Sequence, residues 1–220
     1  MYKLSNFQKL LSVFVAFITS MIVFRMLYSG NTRFLFLLWN LFLAWIPFQI
    51  SIYLAGNKAS SKWIAGFLLA AWLLFFPNAL YIITDLIHLE AKTNVPIWYD
   101  AVLLFTSAGT GLLMAFASLY KVEIFLLKQI SHSATNKLML LCLFMGSFGV
   151  YLGRFLRWNS WDIITNPLDL FKEIAVRFLF PIQYYQTWAI TLLFTCFFSL
   201  LYFAVKKFSI KDISFQTEAQ

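Results

Sequence analysis

The chain has 220 residues, of which 61% are hydrophobic and only 12% are charged, and its formal net charge is +8. Soluble domains carry about 25% charged residues, so this composition excludes an ordinary soluble fold. The cations are scattered between apolar segments instead of forming one patch, which argues against nucleic acid and makes membrane lipids the expected partners.

Six apolar stretches are long enough to cross a hydrocarbon layer, which takes about 20 residues of α-helix. They cover approximately residues 8–28, 34–54, 63–83, 98–120, 137–154 and 185–205. The sequence therefore predicts an all-α polytopic membrane helix bundle that forms one integral membrane domain over residues 1–220. The first apolar run lacks a small-residue cleavage site, which indicates a retained span rather than a removed signal.

The polar side chains at the end of the third stretch are spaced for one face of a helix. Asn78, Tyr81, Asp85 and His88 are separated by three, four and three residues, which at about 3.6 residues per turn places them on one side. Ionisable groups in an apolar helix are costly unless they are paired, so this face is expected to form one wall of a site. Pro77 is expected to start a helix here or to kink one.

Small and polar residues also share one face of the fourth stretch. Asp100, Ser107, Gly111 and Ser118 recur at helical spacing, which predicts close packing against neighbouring helices. Asp100, and Asn40 of the second stretch, each bring a polar group that needs a partner.

A second polar stretch, GRFLRWNSWD, runs from Gly153 to Asp162. Its candidate binding residues are Arg154, Arg157, Trp158, Asn159, Trp161 and Asp162. Guanidinium groups bind phosphate or carboxylate bidentately, and tryptophans are common at the level of the lipid headgroups. The alternative is that the arginines form ion pairs with Asp85 or Asp100 and extend towards the headgroups.

The longest loop contains a further helical pattern. From Pro167 it reads PLDLFKEIAVRFLF, with apolar residues at helical spacing opposite Lys172 and Glu173. This predicts an interfacial amphipathic helix over about residues 167–180, too short and too charged to span the membrane.

The order of the spans predicts that these polar stretches emerge together. The third helix ends on the side where the fourth begins and the fifth ends, whichever way the protein is inserted. Asp85, His88, Asp100 and the stretch after Gly153 are therefore expected to share a patch at one membrane face. Ten of the 17 Lys and Arg residues fall on the side that holds both termini, which predicts cytoplasmic termini.

The segments FPNALYIITDLIHL, PIWYD and LGRFLRWNSWDIITNP resemble the signature segments of a bacterial family of multi-pass membrane proteins catalogued as domain of unknown function 1361. The resemblance covers nearly the whole chain. It implies an integral protein of the bacterial inner membrane and supplies no reaction. Ala79 and Leu80 stand where the family pattern has Ala-Pro, so the helix is expected to be less sharply broken.

Three functions remain open from the sequence, and with them whether the protein is an enzyme. In the first, the protein binds or acts on an anionic lipid or lipid-linked substrate, with Asp85, His88 and Asp100 as candidate catalytic groups and Asn78 and Tyr81 beside the substrate. One His and scattered acids are a weak ligand set, so no metal site is predicted and no cofactor is indicated. The second is a non-catalytic scaffold or assembly factor, in which a polar network locks the middle helices. A small transporter fits less well, because few polar groups approach the bilayer midplane and inverted repeats are not evident.

Overall fold

The computed structural model describes residues 5–56, 61–90 and 94–218, with side chains up to residue 207. Its α-helices are α1 (Asn6–Ser29), α2 (Phe36–Ala55), α3 (Lys62–Tyr81), α4 (Ile97–Leu127), α5 (His132–Leu156), α6 (Asp162–Thr165), α7 (Pro167–Leu179) and α8 (Tyr185–Glu218). A 3₁₀-helix precedes α2 at Arg33–Leu35, and another continues α3 at Ile82–His88. No strand occurs within these residues, and six of the described helices are long and apolar enough to cross a membrane. The predicted all-α bundle of six spans is confirmed.

The chain forms two compact units, residues 1–128 and residues 129–220. The first unit contains α1 to α4, and the second contains α5 to α8. The single domain expected from the sequence stays a prediction.

Local sequence explains where several helices begin and end. Ser5 caps α1 in a capping box, in which its Oγ accepts from Gln8 N–H at 3.2 Å and Gln8 Oε1 accepts from Ser5 N–H at 2.9 Å. Ser61 and Ser131 cap α3 and α5 through one hydrogen bond each, in which the serine Oγ accepts from the backbone N–H of Ile64 and Ala134, respectively. Gly30 ends α1 in the left-handed conformation, at φ 65°, which glycine adopts without a steric penalty.

The first unit is built around α4, on which the other three helices pack. The face of α4 that contains Asp100, Ser107, Gly111 and Ser118 is buried, which confirms the packing expected from small residues. Buried hydrogen bonds add a cross-link between α2, α3 and α4. Trp72 Nε1 donates to Ser118 Oγ at 2.6 Å, and Ser118 Oγ donates to the carbonyl oxygen of Pro47 at 3.1 Å.

Gly111 marks the closest approach of α4 to the end of α3. A Cβ atom at this position would lie 2.8 Å from Ile82 Cδ1, 3.0 Å from Ile82 Cβ and 3.1 Å from the carbonyl oxygen of Ala79. Only glycine permits this spacing without a shift of the neighbouring backbone, because the last of these atoms cannot rotate away.

The polar segment of α3 differs from a regular α-helix. Pro77 lies inside α3 and does not start it, and the α-helix continues to Tyr81 before it tightens into the 3₁₀-helix. With about three residues per turn, the 3₁₀-helix aligns Ile82, Asp85 and His88. Ile82 and Asp85 are buried accordingly. Asp85 and His88 therefore share a face of the 3₁₀-helix, and the wider face that includes Asn78 and Tyr81 stays a prediction.

The second unit is held by a cluster of aromatic rings. Trp188 of α8 packs on Phe148 of α5 and on Phe178 of α7, with ring centroids 5.9 and 4.8 Å apart, and its Nε1 donates to the carbonyl oxygen of Arg177 at 3.2 Å. Arg177 is 4% exposed, and its guanidinium lies 4.9 Å from the ring centroid of Tyr184. These contacts fix the C-terminal half of α7 against the spanning helices, so the predicted amphipathic segment is indeed helical.

Candidate functional site

A buried ion pair joins α1 to the start of α4 in the first unit. Arg25 Nε donates to Asp100 Oδ1 at 2.7 Å, and Arg25 Nη2 donates to Asp100 Oδ2 at 3.0 Å. Both side chains are 2% exposed, and the ring of Phe34 lies 4.4 Å from the guanidinium carbon. Asp100 also lies in the first turn of α4, where the helix dipole favours a negative charge. The pair is bidentate and shielded from solvent.

The sequence did not single out Arg25, which the structure adds to this site. The structure places it inside α1, four residues before the end of the helix. Its Nη1 atom is buried and makes no hydrogen bond with the described residues. The available signal was its position within the first apolar stretch, where a cation needs a partner.

Asp85 has a separate partner in the same unit. Asn40 Nδ2 of α2 donates to Asp85 Oδ2 at 2.8 Å, and Asp85 is 1% exposed. The polar group of Asn40 therefore has the partner that the sequence required. Because the 3₁₀-helix that carries Asp85 packs between α2 and α4, this carboxylate lies inside the unit and not on its surface.

The other predicted residues of this segment are half-buried. The ring edge of His88 packs against Phe36, with centroids 5.1 Å apart, and Asn78 Nδ2 donates to the carbonyl oxygen of Phe75 at 3.0 Å. Tyr81 ends α3. Among the residues that the structure describes, no three His, Cys, Asp or Glu side chains are grouped so that they could hold a metal ion.

The candidate residues of the second unit lie where α5 ends. Arg157 follows the last residue of α5 and has φ 62°, the only positive φ of a non-glycine residue in the described chain. The carbonyl oxygen of Leu152 accepts from the backbone N–H groups of Arg157 and Trp158. The side chain of Arg157 is exposed, and no hydrogen bond or ion pair joins it to the described residues.

Several neighbours of Arg157 shape the turn that follows. Asp162 Oδ2 accepts from the backbone N–H of Asn159 at 2.6 Å, and Asp162 Oδ1 accepts from Thr165 Oγ1 at 3.0 Å. Asn159 and Asp162 are thus occupied in holding the turn. Trp161 is 37% exposed, so Arg157 and Trp161 are the outward-facing groups. Arg154 and Trp158 are half-buried.

Within the first unit, Asp85 is therefore paired with Asn40, and Asp100 is paired with Arg25. In the second unit, the side chain of Arg157 is exposed. The predicted patch draws on both units, and its assembly at one membrane face stays a prediction, as do the catalytic roles of Asp85, His88 and Asp100.

Six hydrophobic spanning helices with ionisable side chains buried in pairs define a polytopic helical membrane protein. The chain matches the family model described as Protein of unknown function (DUF1361) over residues 39–201, and it belongs to that family. This confirms the resemblance seen in the sequence. The matched range includes Asn40, Asp85, Asp100 and Arg157 but not Arg25. No curated protein and no solved structure matches the chain.

Proposed function

We propose that the protein binds the phosphate of an anionic lipid, or of a lipid-linked substrate, through Arg157 at the end of α5. The observation that carries this proposal is an exposed guanidinium without a partner on a residue in the left-handed conformation. That conformation costs an L-residue about 1–2 kcal/mol, which glycine would avoid. A phosphate group provides the bidentate acceptor that Arg157 lacks within the described residues.

The surroundings of Arg157 support a site at the level of the headgroups. Trp158 and Trp161 follow directly, and tryptophan favours the boundary between hydrocarbon and water. Farther along, Leu168 and Phe171 of α7 are 73% and 71% exposed, on a helix that also carries Lys172. Exposed apolar side chains on a charged helix are typical of a segment that lies in the membrane interface.

The decisive variant is Arg157→Gly, because it separates binding from folding. Glycine relieves the left-handed backbone, so this variant is expected to be as stable as the natural protein or more stable by about 1 kcal/mol. Its preference for phosphatidylglycerol over phosphatidylcholine, measured by native mass spectrometry of the detergent-purified protein, is expected to fall about fivefold, since one basic residue near a lipid surface contributes about 1 kcal/mol.

Lys172→Gln is the matched control, because it removes one exposed charge from the same unit. We expect it to lower the lipid preference less than Arg157→Gly does, because Lys172 Nζ already lies 3.5 Å from Asp169 Oδ1. An equal loss in both variants would show unspecific attraction, and an unchanged preference in Arg157→Gly would refute the assignment of the site.

A scaffold function is the second candidate, and the first unit favours it. Asp100 is sealed against Arg25, and Asp85 lies inside the unit against Asn40. Buried pairs of this kind fix which helices meet. Asp85→Asn tests the scaffold function. In a scaffold this variant lowers the melting temperature, whereas a catalytic Asp85 would leave a folded protein that no longer turns over a lipid substrate.

We also propose that both termini are cytoplasmic in a bacterial inner membrane. The bias of Lys and Arg towards the side of the termini supports this orientation. Arg25, one of the seven cations on the other side, is buried in an ion pair and does not weigh in this bias. Labelling of single cysteines introduced at positions 7 and 158 with a membrane-impermeant reagent tests the orientation, since the two positions should react from opposite sides.

A further inference from the structure

An open-sided groove of about 570 Å³ lies between α1 and α2 of the first unit. Both helices pack on α4 more closely than on each other, so Met114 of α4 forms the floor of the groove. Val15 and Leu38 line one end. The rings of Phe7 and Phe48 meet at the other end, with centroids 5.9 Å apart.

The length of the groove matches one leaflet of a bilayer. Its wall on α1 runs from Gln8 to Ala16, which at about 1.5 Å per residue is about 12 Å. Half of a hydrocarbon core of about 30 Å is about 15 Å. Gln8 lies only two residues after the start of α1, so the groove begins near one end of a membrane-spanning helix and extends to about half the depth of the hydrocarbon.

The polarity of the lining changes along this length. Gln8 and Gln49 lie at the end marked by the contact between Phe7 and Phe48, whereas the opposite end is lined by aliphatic side chains. Gln8 Oε1 already accepts a capping hydrogen bond, which leaves its NH₂ group as a donor. The carboxamide of Gln49 makes no hydrogen bond with the described residues.

The charge at the polar end is positive. Lys9 is exposed there and has no ion-pair partner in the described chain. Neither α1 nor α2 contains an Asp or a Glu. An anionic headgroup is therefore complementary to this end, and a hydrocarbon chain is complementary to the remainder.

We infer that the groove holds one acyl chain of an anionic phospholipid, whose headgroup lies beside Gln8, Lys9 and Gln49. Packing against a chain supplies the dispersion contacts that α1 and α2 do not make with each other. This site lies in the first unit and is independent of Arg157.

The test uses Trp45, which lines the groove. Phosphatidylglycerol with a dibrominated acyl chain is titrated into the detergent-purified protein, because bromine quenches the fluorescence of a tryptophan that it contacts. We expect saturable quenching at one lipid per protein, and we expect Trp45→Phe to remove it. Phosphatidylcholine with the same chains is expected to bind about fivefold more weakly, the contribution of one lysine near a lipid surface.

Variants that fill the groove supply the control. Ala16→Phe and Ser12→Phe each place a ring in the groove at an exposed position, and each is expected to weaken the saturable quenching about tenfold. Val13→Phe adds a similar ring at a 65% exposed position outside the groove and is expected to leave the binding unchanged. Arg157→Gly should also leave it unchanged.

Quenching that rises without saturation, or that is equal in Ala16→Phe and Val13→Phe, would overturn the site. Equal affinity for the two lipids would overturn the assignment of an anionic headgroup. Two filling variants are used so that misfolding of one, detected by size-exclusion chromatography, leaves the other to decide the outcome.

Discussion

Removal of one partner from the ion pair between Arg25 and Asp100 is expected to destabilise the protein strongly. Asp100→Asn leaves the guanidinium 2% exposed with one of its two hydrogen bonds lost, the other weakened, and Nη1 already without a partner. Loss of one member of such a buried pair costs about 3–5 kcal/mol, against a total stability of about 5–15 kcal/mol for a typical domain. A loss of this size corresponds to a fall in melting temperature of about 10 °C.

The melting temperature of each variant is measured in detergent by fluorescence-detected size-exclusion chromatography after heating. The double variant Arg25→Met and Asp100→Leu removes both charges and keeps apolar volume, so it is expected to recover most of the loss. The double variant should remain about 0.3–1 kcal/mol less stable than the natural protein, because Asp100 also interacts with the dipole of α4.

Glu90→Gln is the matched control for removal of a charge. Glu90 forms an ion pair with Arg33 at 3.0 Å, but the two side chains are 51% and 29% exposed. Exposed pairs contribute about 0–1 kcal/mol, so this variant should melt close to the natural protein. Equal melting temperatures of Asp100→Asn and Glu90→Gln would refute the strong contribution of the buried pair. A double variant no more stable than Asp100→Asn alone would refute it as well.

Two further predictions concern the packing of α4. Gly111→Ala places a methyl group against the junction of α3 and its 3₁₀ extension and is expected to cost about 1–3 kcal/mol in stability. Gly109→Ala on the same helix meets no atom within 4 Å and should be neutral or slightly stabilising. Equal melting temperatures of the two variants would contradict the close approach at Gly111. Ser118→Ala leaves the indole N–H of Trp72 buried without its acceptor and is expected to cost about 1–3 kcal/mol. Adding Trp72→Phe to Ser118→Ala should then cost less than Trp72→Phe costs by itself, and additive losses in the double-mutant cycle would rule out the hydrogen bond.

The residues of the candidate site were predictable to different degrees. Asp85, Asp100 and Asn40 stand out in the sequence because polar groups within apolar spans need partners, and the structure shows that each has one. Their partners were not predictable, because Arg25 and Asp100 are 75 residues apart in the chain. Arg157 was identified by its type and position, but its positive φ depends on how α5 ends and is not visible in a sequence pattern.

The tightening of α3 into a 3₁₀-helix is a second feature that periodicity could not reveal. The spacing of Asn78, Tyr81, Asp85 and His88 fits an α-helix, yet the segment packs between α2 and α4 with Ile82 close to Gly111. That contact lies outside the segment itself, so the change from α-helix to 3₁₀-helix was not visible in the periodicity.

The sequence by itself determined that this protein is a helical membrane protein with six spans. These properties follow from transfer free energies and backbone hydrogen bonds, which depend on residues close together in the chain. The tertiary structure alone decided that Arg25 pairs with Asp100 and that a groove separates α1 from α2. Such features depend on the order and rotation of whole helices, and these are set by many weak contacts between distant segments.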